Sequence, residues 1–233
     1  MQTKRIGNII LIQLSDMDSN IYLIDDMVID TGTGFNFPRL YQIFKIYKKT
    51  FEDIKFIINT HAHFDHIGGN GFFPNAKIIM HKLDAPVLEN GDSSTSYADF
   101  FGGQLKKRKV DMKVEEGFEL NGLEVIHTPG HTPGSISLYN RKEKILFSGD
   151  LIFADGFGRT DLVGGNREDL MKSIEKIKGL EIEKLLPGHG EPVLKMVKER
   201  IEFLLKNEPE EVWILNLFII SLKYASSKNR TCN

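Results

Sequence analysis

The 233-residue sequence predicts an α/β (α+β) fold, a four-layer αββα sandwich with two sheets packed face to face between outer helices. The main observation is that the chain divides into two similar halves. Each half has several short apolar runs followed by a segment whose apolar residues recur at helical spacing. A chain of this length can bury a full core, so we expect one folded domain over residues 1–209 and an apolar tail over 210–233.

The first half begins with strand-like runs and continues into a helix. We predict strands at residues 6–14, 21–25 and 27–29, and a helix at 37–49 where Leu40, Ile43 and Phe44 share one face. A strand at 54–59 leads into a polar turn, and a short strand follows at 77–80. We expect His81 to begin a further helix that ends at residue 88.

The second half repeats this order. Strands are predicted at residues 118–120, 123–127, 135–139 and 144–147, then a helix at 167–178 and a strand at 184–186. Pro192 is expected to open the last helix, since proline is tolerated in a first helical turn. Its inner face would hold Val193, Val197, Ile201, Leu204 and Leu205. Residues 90–110 show no clear period, and we predict a partly mobile loop and helix near the functional site.

The polar turn after residue 59 is the most informative segment. His61, His63, Asp65 and His66 place four side chains able to bind a metal within six residues, directly after an apolar run. Imidazole and carboxylate groups suit zinc, iron or manganese, and no thiolate is needed. The sequence therefore predicts a strand that ends in a metal-binding turn.

Three later positions share this setting. His131, Asp150 and His189 each follow an apolar, strand-like run and are flanked by glycine or proline. A rigid sheet can hold a ligand on a loop at such a position. Four strand ends that carry histidine or aspartate predict convergence on one centre.

These motifs resemble those of the metallo-β-lactamase-fold superfamily, and within it the glyoxalase II-like hydrolases. The similarity rests on Asp30-Thr31-Gly32, on the His-x-His-x-Asp-His run at 61–66, and on His131, Asp150 and His189 in that order. It spans roughly residues 5 to 205. The resemblance implies that the sandwich is of the metallo-β-lactamase type.

The resemblance also implies a role for each residue. In the family pattern His61, His63 and His131 hold one metal ion, Asp65, His66 and His189 hold a second, and Asp150 bridges both. Two divalent ions are implied, zinc above all, with iron or manganese as alternatives. A water held between two cations loses a proton near neutral pH. Asp65 would orient the resulting hydroxide, and Asp30 would accept a hydrogen bond from a ligand imidazole.

The reaction implied is hydrolysis of a small-molecule thioester or ester, similar to that of hydroxyacylglutathione hydrolases. A persulfide dioxygenase with a single iron is the alternative, since it can use the same ligand positions. A non-catalytic metal-binding protein is a third hypothesis. Arg159 would either grip a substrate carboxylate or pair with an aspartate. The chain departs from true glyoxalase II in its tail, which is strongly apolar at 212–222 where that enzyme carries a glutathione-binding helical extension.

Composition and charge limit the classes of partner that we expect for this protein. A net charge of −2 gives no general attraction to nucleic acid. The chain has one cysteine, Cys232, so no intrachain disulfide forms. The N-terminus lacks the order of a signal peptide, and the apolar tail is shorter than a membrane span of about 20 residues. We therefore expect a cytoplasmic protein with no membrane partner, whose tail packs on its own core or forms a homodimer.

Overall fold

Two β-sheets form the centre of the fold. The computed structural model describes residues 2–207. Its first sheet has seven strands in the order in which they occur in the chain. These are β1 (Gln2–Ile6), β2 (Ile9–Gln13), β3 (Ile21–Ile24), β4 (Met27–Ile29), β5 (Phe56–Ile58), β6 (Lys77–His81) and β7 (Met112–Val114).

The second sheet has five strands, in the order β12-β11-β10-β9-β8. They are β8 (Glu119–Leu120), β9 (Leu123–His127), β10 (Ile136–Asn140), β11 (Ile145–Gly149) and β12 (Lys184–Pro187). The α-helices of the described chain are α1 (Phe37–Ile46), α2 (Phe64–Ile67), α3 (Ala85–Asn90), α4 (Arg167–Lys178) and α5 (Val197–Lys206).

One apolar core lies between the two sheets, where residues of both inner faces meet. The ring of Tyr22 on β3 meets that of Phe147 on β11 edge to face, with centroids 5.1 Å apart. A second apolar cluster covers the outer face of the first sheet and includes Leu40, Ile43 and Phe44 of α1. On the other side, α4 buries its apolar face and bonds to the chain that follows β9. The predicted αββα sandwich is therefore confirmed.

Several element boundaries differ from the sequence predictions. The strand predicted at 6–14 contains β2 and only the last residue of β1, because Gly7 adopts a positive φ of 63° and turns the chain between them. The helix predicted at 81–88 is wrong at its start, since His81 ends β6 and α3 begins at Ala85. Pro86 occupies the first turn of that helix, where its missing N–H costs no bond.

The helix predicted to open at Pro192 begins instead at Val197. Val193 forms two backbone hydrogen bonds with Leu185 of β12, and Met196 has a positive φ of 55° that a helix cannot include. In the stretch 91–111 the structure has turns and irregular chain, so the helix expected there is absent. The left-handed Gly91 ends α3 ahead of it.

Within the described residues, chain contacts separate residues 2–198 from residues 199–207. The predicted division at 209/210, the apolar tail and Cys232 all concern residues outside the described part, so they stay predictions. None of the helices within residues 2–207 is long and apolar enough to cross a bilayer.

Two histidines outside the ligand set join the sheets. His81 at the end of β6 and His127 at the end of β9 stack with centroids 4.1 Å apart and planes 11° from parallel. Burial, together with the charges of His127 and Lys82, lowers the pKa of His81 to about 4, against the opposing pull of Glu115 and Glu116. His81 is therefore neutral and packed at pH 7.

This contact predicts a pH dependence of stability. The folded-state pKa of His81 lies below its usual value near 6.5, so the unfolded chain binds more protons between those two pH values. Stability that the neutral ring contributes above pH 6.5 is lost as the pH falls toward 4. His81→Phe keeps a stacked ring without a titrating group. Urea unfolding of the metal-free proteins should show the variant losing less stability than wild type between pH 7 and 4.5, whereas parallel curves would contradict the assignment.

Candidate metal centre

The seven predicted ligands lie at one end of the strands, Asp65 and His66 in the short helix α2 and the other five on loops. In the first sheet β4, β5 and β6 run parallel, so the loops that follow β4 and β5 leave the same edge. In the second sheet β11 and β12 are parallel, which places Asp150 and His189 side by side just beyond them. A Cβ at Gly188 would collide with the carboxylate of Asp150, so only glycine fits there.

The first group of ligands consists of His61, His63 and His131. Nδ1 of His63 lies 3.1 Å from Nε2 of His61 and 2.8 Å from Nε2 of His131. All three side chains are buried. The first loop supplies two of them, and the loop between β9 and β10 supplies the third.

Burial sets the charge of this group. Burial, with the charges of neighbouring histidines, holds the pKa of His61 well below its usual range and lowers that of His63 to about 3. Burial also lowers the pKa of His131, although the Asp150 carboxylate opposes it. Near pH 7 the three imidazoles are neutral, the form in which imidazole binds a metal.

The second group consists of Asp65, His66 and His189. Nε2 of His189 lies 3.0 Å from Oδ2 of Asp65 and 3.2 Å from Nε2 of His66. Asp150 lies between the two groups, since its carboxylate oxygens are 3.4 Å from Nε2 of His66 and 3.6 Å from Nε2 of His131. That position is the one expected of a bridging carboxylate.

Carboxylates dominate the electrostatics of the second group. Burial acts to raise the pKa of Asp150, but His189 and His66 outweigh it and hold that pKa well below its usual range. Burial likewise opposes protonation of His66, yet Asp150, Asp30 and Asp65 together raise its pKa well above the usual value. A cation that binds here must displace protons, so metal affinity should fall with falling pH.

Hydrogen bonds to the outer ring nitrogens set the tautomers. Nδ1 of His131 donates to the carbonyl oxygen of Arg159 at 2.7 Å, and Nδ1 of His66 donates to Oδ2 of Asp30 at 2.8 Å. In each neutral ring the inward Nε2 then carries a lone pair. Asp30 has a positive φ of 55° and is held by the backbone N–H and hydroxyl of Thr60.

These donors fit a pair of metal ions. Three groups of ligand atoms, His61–His63–His131, His61–His66–Asp150 and Asp65–His66–His189, each lie within 4.8 Å of one another. Nε2 of His63 and Oδ1 of Asp150 are buried without a hydrogen-bond partner in the described chain. A buried carboxylate oxygen of this kind needs a cation beside it, either a bound metal ion or the protonated ring of His66, whose Nε2 lies 3.4 Å away. Nitrogen and oxygen donors of this kind bind divalent zinc, iron or manganese.

Arg159 contacts protein groups at this edge. Its guanidinium pairs bidentately with Asp161 at 2.7 and 2.6 Å. The structure thus contains the aspartate pairing, one of the two roles expected for this residue, and contact with substrate stays a prediction. Sequence reasoning missed the backbone role, in which the Arg159 carbonyl orients His131.

The segment 90–110 does lie at the site, as predicted. The ring of Tyr97 meets that of His63 edge on, with centroids 5.4 Å apart, and its hydroxyl accepts from the N–H of Val163. The carbonyl of Ser96 accepts from the N–H of Phe64. A polar cavity of about 430 Å³ opens beside His189, and the residues that line it include Gln13, Asp16, Asn20 and Glu191.

Comparison with known proteins decides the family. The sequence profile of the metallo-β-lactamase superfamily matches residues 14–189. The chain belongs to the metallo-β-lactamase superfamily. Within it the protein is a metallo-hydrolase, since a probable metallo-hydrolase of Methanocaldococcus jannaschii is 39% identical over 186 residues, which cover 74% of this chain and 88% of the relative.

Two further relatives of this chain have names that state an enzymatic activity. An acyl-coenzyme A thioesterase of Bos taurus is 31% identical over 208 residues, covering 73% of this chain and 72% of the relative. A hydroxyacylglutathione hydrolase of Pelagibacter ubique is 32% identical over 144 residues, covering 58% of this chain and 52% of the relative.

Two solved structures share the fold. One was crystallised in a di-iron-bound form, with a TM-score of 0.70, 28% identity, and coverage of 84% of this chain and 96% of that one. Another is a B3 metallo-β-lactamase, with a TM-score of 0.69, 30% identity, and coverage of 85% and 97%. The di-iron form shows that a protein with a similar fold can bind two iron ions.

The contact between Asp30 and His66 generates a prediction for metal binding. The carboxylate of Asp30 accepts from Nδ1 of His66 and from the N–H of Thr60. In Asp30→Asn one of its two oxygens becomes an N–H₂ group, so one of these donors loses its acceptor. Loss of such an orienting carboxylate weakens metal binding by about 10- to 100-fold. Competition with a chromophoric chelator should show this loss for zinc. Asp26→Asn, which breaks only an exposed ion pair with Lys55, is the matched control. Wild-type affinity in Asp30→Asn would overturn the role given to Asp30.

Proposed function

We propose that the protein hydrolyses a small-molecule thioester or a related ester with two divalent metal ions bound, zinc in the first place. The observation that carries this proposal is the convergence of two ligand groups on either side of Asp150, with Asp65 in the second group. When bound, such ions activate water and polarise a carbonyl group.

The chain's own residues would supply the proton transfer and the positioning. Burial raises the pKa of Asp65, but His66 and His189 outweigh it and leave that pKa below its usual value. An ionised Asp65 carboxylate can accept a proton from the attacking water as a general base. The polar cavity beside His189 offers hydrogen-bonding groups for a substrate that reaches the centre from that side.

Thioesters are favoured over other acyl compounds because two relatives point to them. One is named an acyl-coenzyme A thioesterase and the other a hydroxyacylglutathione hydrolase. Both names describe attack on an acyl–sulfur bond, which needs an activated water and a stabilised thiolate but no redox cofactor. The acyl group and the carrier thiol of this protein are left open by the proposal.

Thioester hydrolysis can be measured directly with protein purified under anaerobic conditions and loaded with zinc. We expect release of free thiol from a panel of acyl-coenzyme A and acylglutathione substrates, detected with a thiol reagent. Asp65→Asn should lower kcat by about 100-fold or more, because general-base catalysis commonly contributes that much. The exposed Asp26→Asn should keep wild-type activity.

Two outcomes would contradict the proposal. Unchanged turnover in both Asp65→Asn and Asp150→Ala would mean that the site does not perform the reaction. Oxygen uptake with a thiol persulfide by iron-loaded protein, with no thioester hydrolysed by the zinc or iron forms, would favour the single-iron dioxygenase.

A further inference from the structure

One buried carboxylate outside the ligand set joins two of the ligand loops. Asp84 lies after β6 and is 2% exposed. Its Oδ2 accepts from the N–H of Ala62 at 2.9 Å and from the hydroxyl of Thr132 at 2.7 Å. Its Oδ1 accepts from the N–H of Gly134 at 2.7 Å.

The donors to this carboxylate stand next to metal ligands. Ala62 lies between His61 and His63, and Thr132 directly follows His131. The carboxylate therefore spans the two loops whose three histidines make up the first group. Those loops come from different halves of the chain and from different sheets.

A purely local role for Asp84 does not account for these contacts. Asp84 directly precedes α3, where an aspartate commonly caps the helix through its side chain. The helix shows no such side-chain hydrogen bond, because both carboxylate oxygens turn to the ligand loops instead. The packing is close as well, since a Cβ at Gly134 would lie 2.5 Å from Oδ1 of Asp84.

We propose that Asp84 is a positioning residue for the first metal site, which holds the His61–His63 loop at the correct separation from His131. The second site does not share this support. Asp30 accepts a hydrogen bond from the ring of His66. The backbone of the same segment is held by two further bonds, from the N–H of Ser19 to the carbonyl of Asp65 and from the N–H of Thr31 to the carbonyl of His66. Loss of the Asp84 contacts should therefore weaken one site and spare the other.

Asp84→Asn is the sharpest change. The N–H groups of Ala62 and Gly134 can only donate, and they point at different oxygens of Asp84. An asparagine offers one oxygen and one N–H₂ group, so one backbone donor would face another donor. The volume of the side chain stays the same, and the loops must move apart to relieve the contact.

Single-site backgrounds separate the two sites. The full chain with His189→Ala keeps the three histidines of the first group, and the full chain with His131→Ala keeps Asp65, His66 and His189. Zinc affinity is measured in each background, with and without Asp84→Asn, by competition with a chelator. We expect Asp84→Asn to weaken zinc binding by about 10- to 100-fold in the first background and to leave it unchanged in the second.

The chain offers a matched control and a second probe. Asp53 also accepts from a backbone N–H group, that of Thr50 at 2.7 Å, but both residues belong to one turn that carries no predicted ligand. Asp53→Asn should leave zinc affinity unchanged in both backgrounds. In Gly134→Ala the added methyl group would displace the side chain of Asp84 without changing its chemistry. This variant should also weaken zinc binding in the first background alone, even where Asp84→Asn fails to fold.

Equal weakening in both backgrounds, or none in either, would overturn the proposal. Weakening of the first site by Asp53→Asn would also overturn it. The inference rests on the metal-binding part of the proposed function and not on the thioester. Because the readout is zinc affinity, its failure leaves thioester hydrolysis standing, and a failed hydrolase assay leaves this result interpretable.

Discussion

The structure depends on a few buried hydrogen bonds that hold ligand loops from two different sheets against one another. Asp30 joins the loops after β4 and β5 through Thr60 and His66. Asp84 joins the second of these to the loop after β9. The loop that carries His189 is tied to the first sheet in the same manner, since Asn20 and Tyr22 both donate to the carbonyl of Pro187. Each sheet alone holds only part of the ligand set.

Burial then determines how these ligands behave. The three histidines of the first group are neutral because burial disfavours their charged form, so their inward lone pairs are ready for a cation. The second group has carboxylates beside its histidines, and these offset the positive charge of ions or protons. The arrangement places a neutral site next to an acidic one, with Asp150 shared by both. This difference between the two sites suits a reaction in which bound metal activates water and Asp65, in the second group, acts as a base.

The sequence predicted the sandwich and the converging ligands because both leave local patterns. Helix α4 and strand β9 have the predicted bounds, since each combines a clear apolar period with polar or glycine residues at its ends. The turn at Gly7 and the irregular chain before Val197 were missed, because backbone dihedrals at single residues decide them. Asp84 was missed for a different reason. Its partners at Ala62 and Gly134 lie 22 and 50 residues away, and only the folded chain shows that they are neighbours.

Metal content per chain is the most direct test of this account. The protein would be purified without oxygen and without added metal, and then subjected to elemental analysis alongside the His131→Ala and His189→Ala variants. The account predicts about two divalent ions per wild-type chain and about one in each variant, because the two ligand groups lie on either side of Asp150 and each variant removes a ligand from one group. A wild-type chain that binds no ion, or that binds a single ion lost equally in both variants, would contradict it.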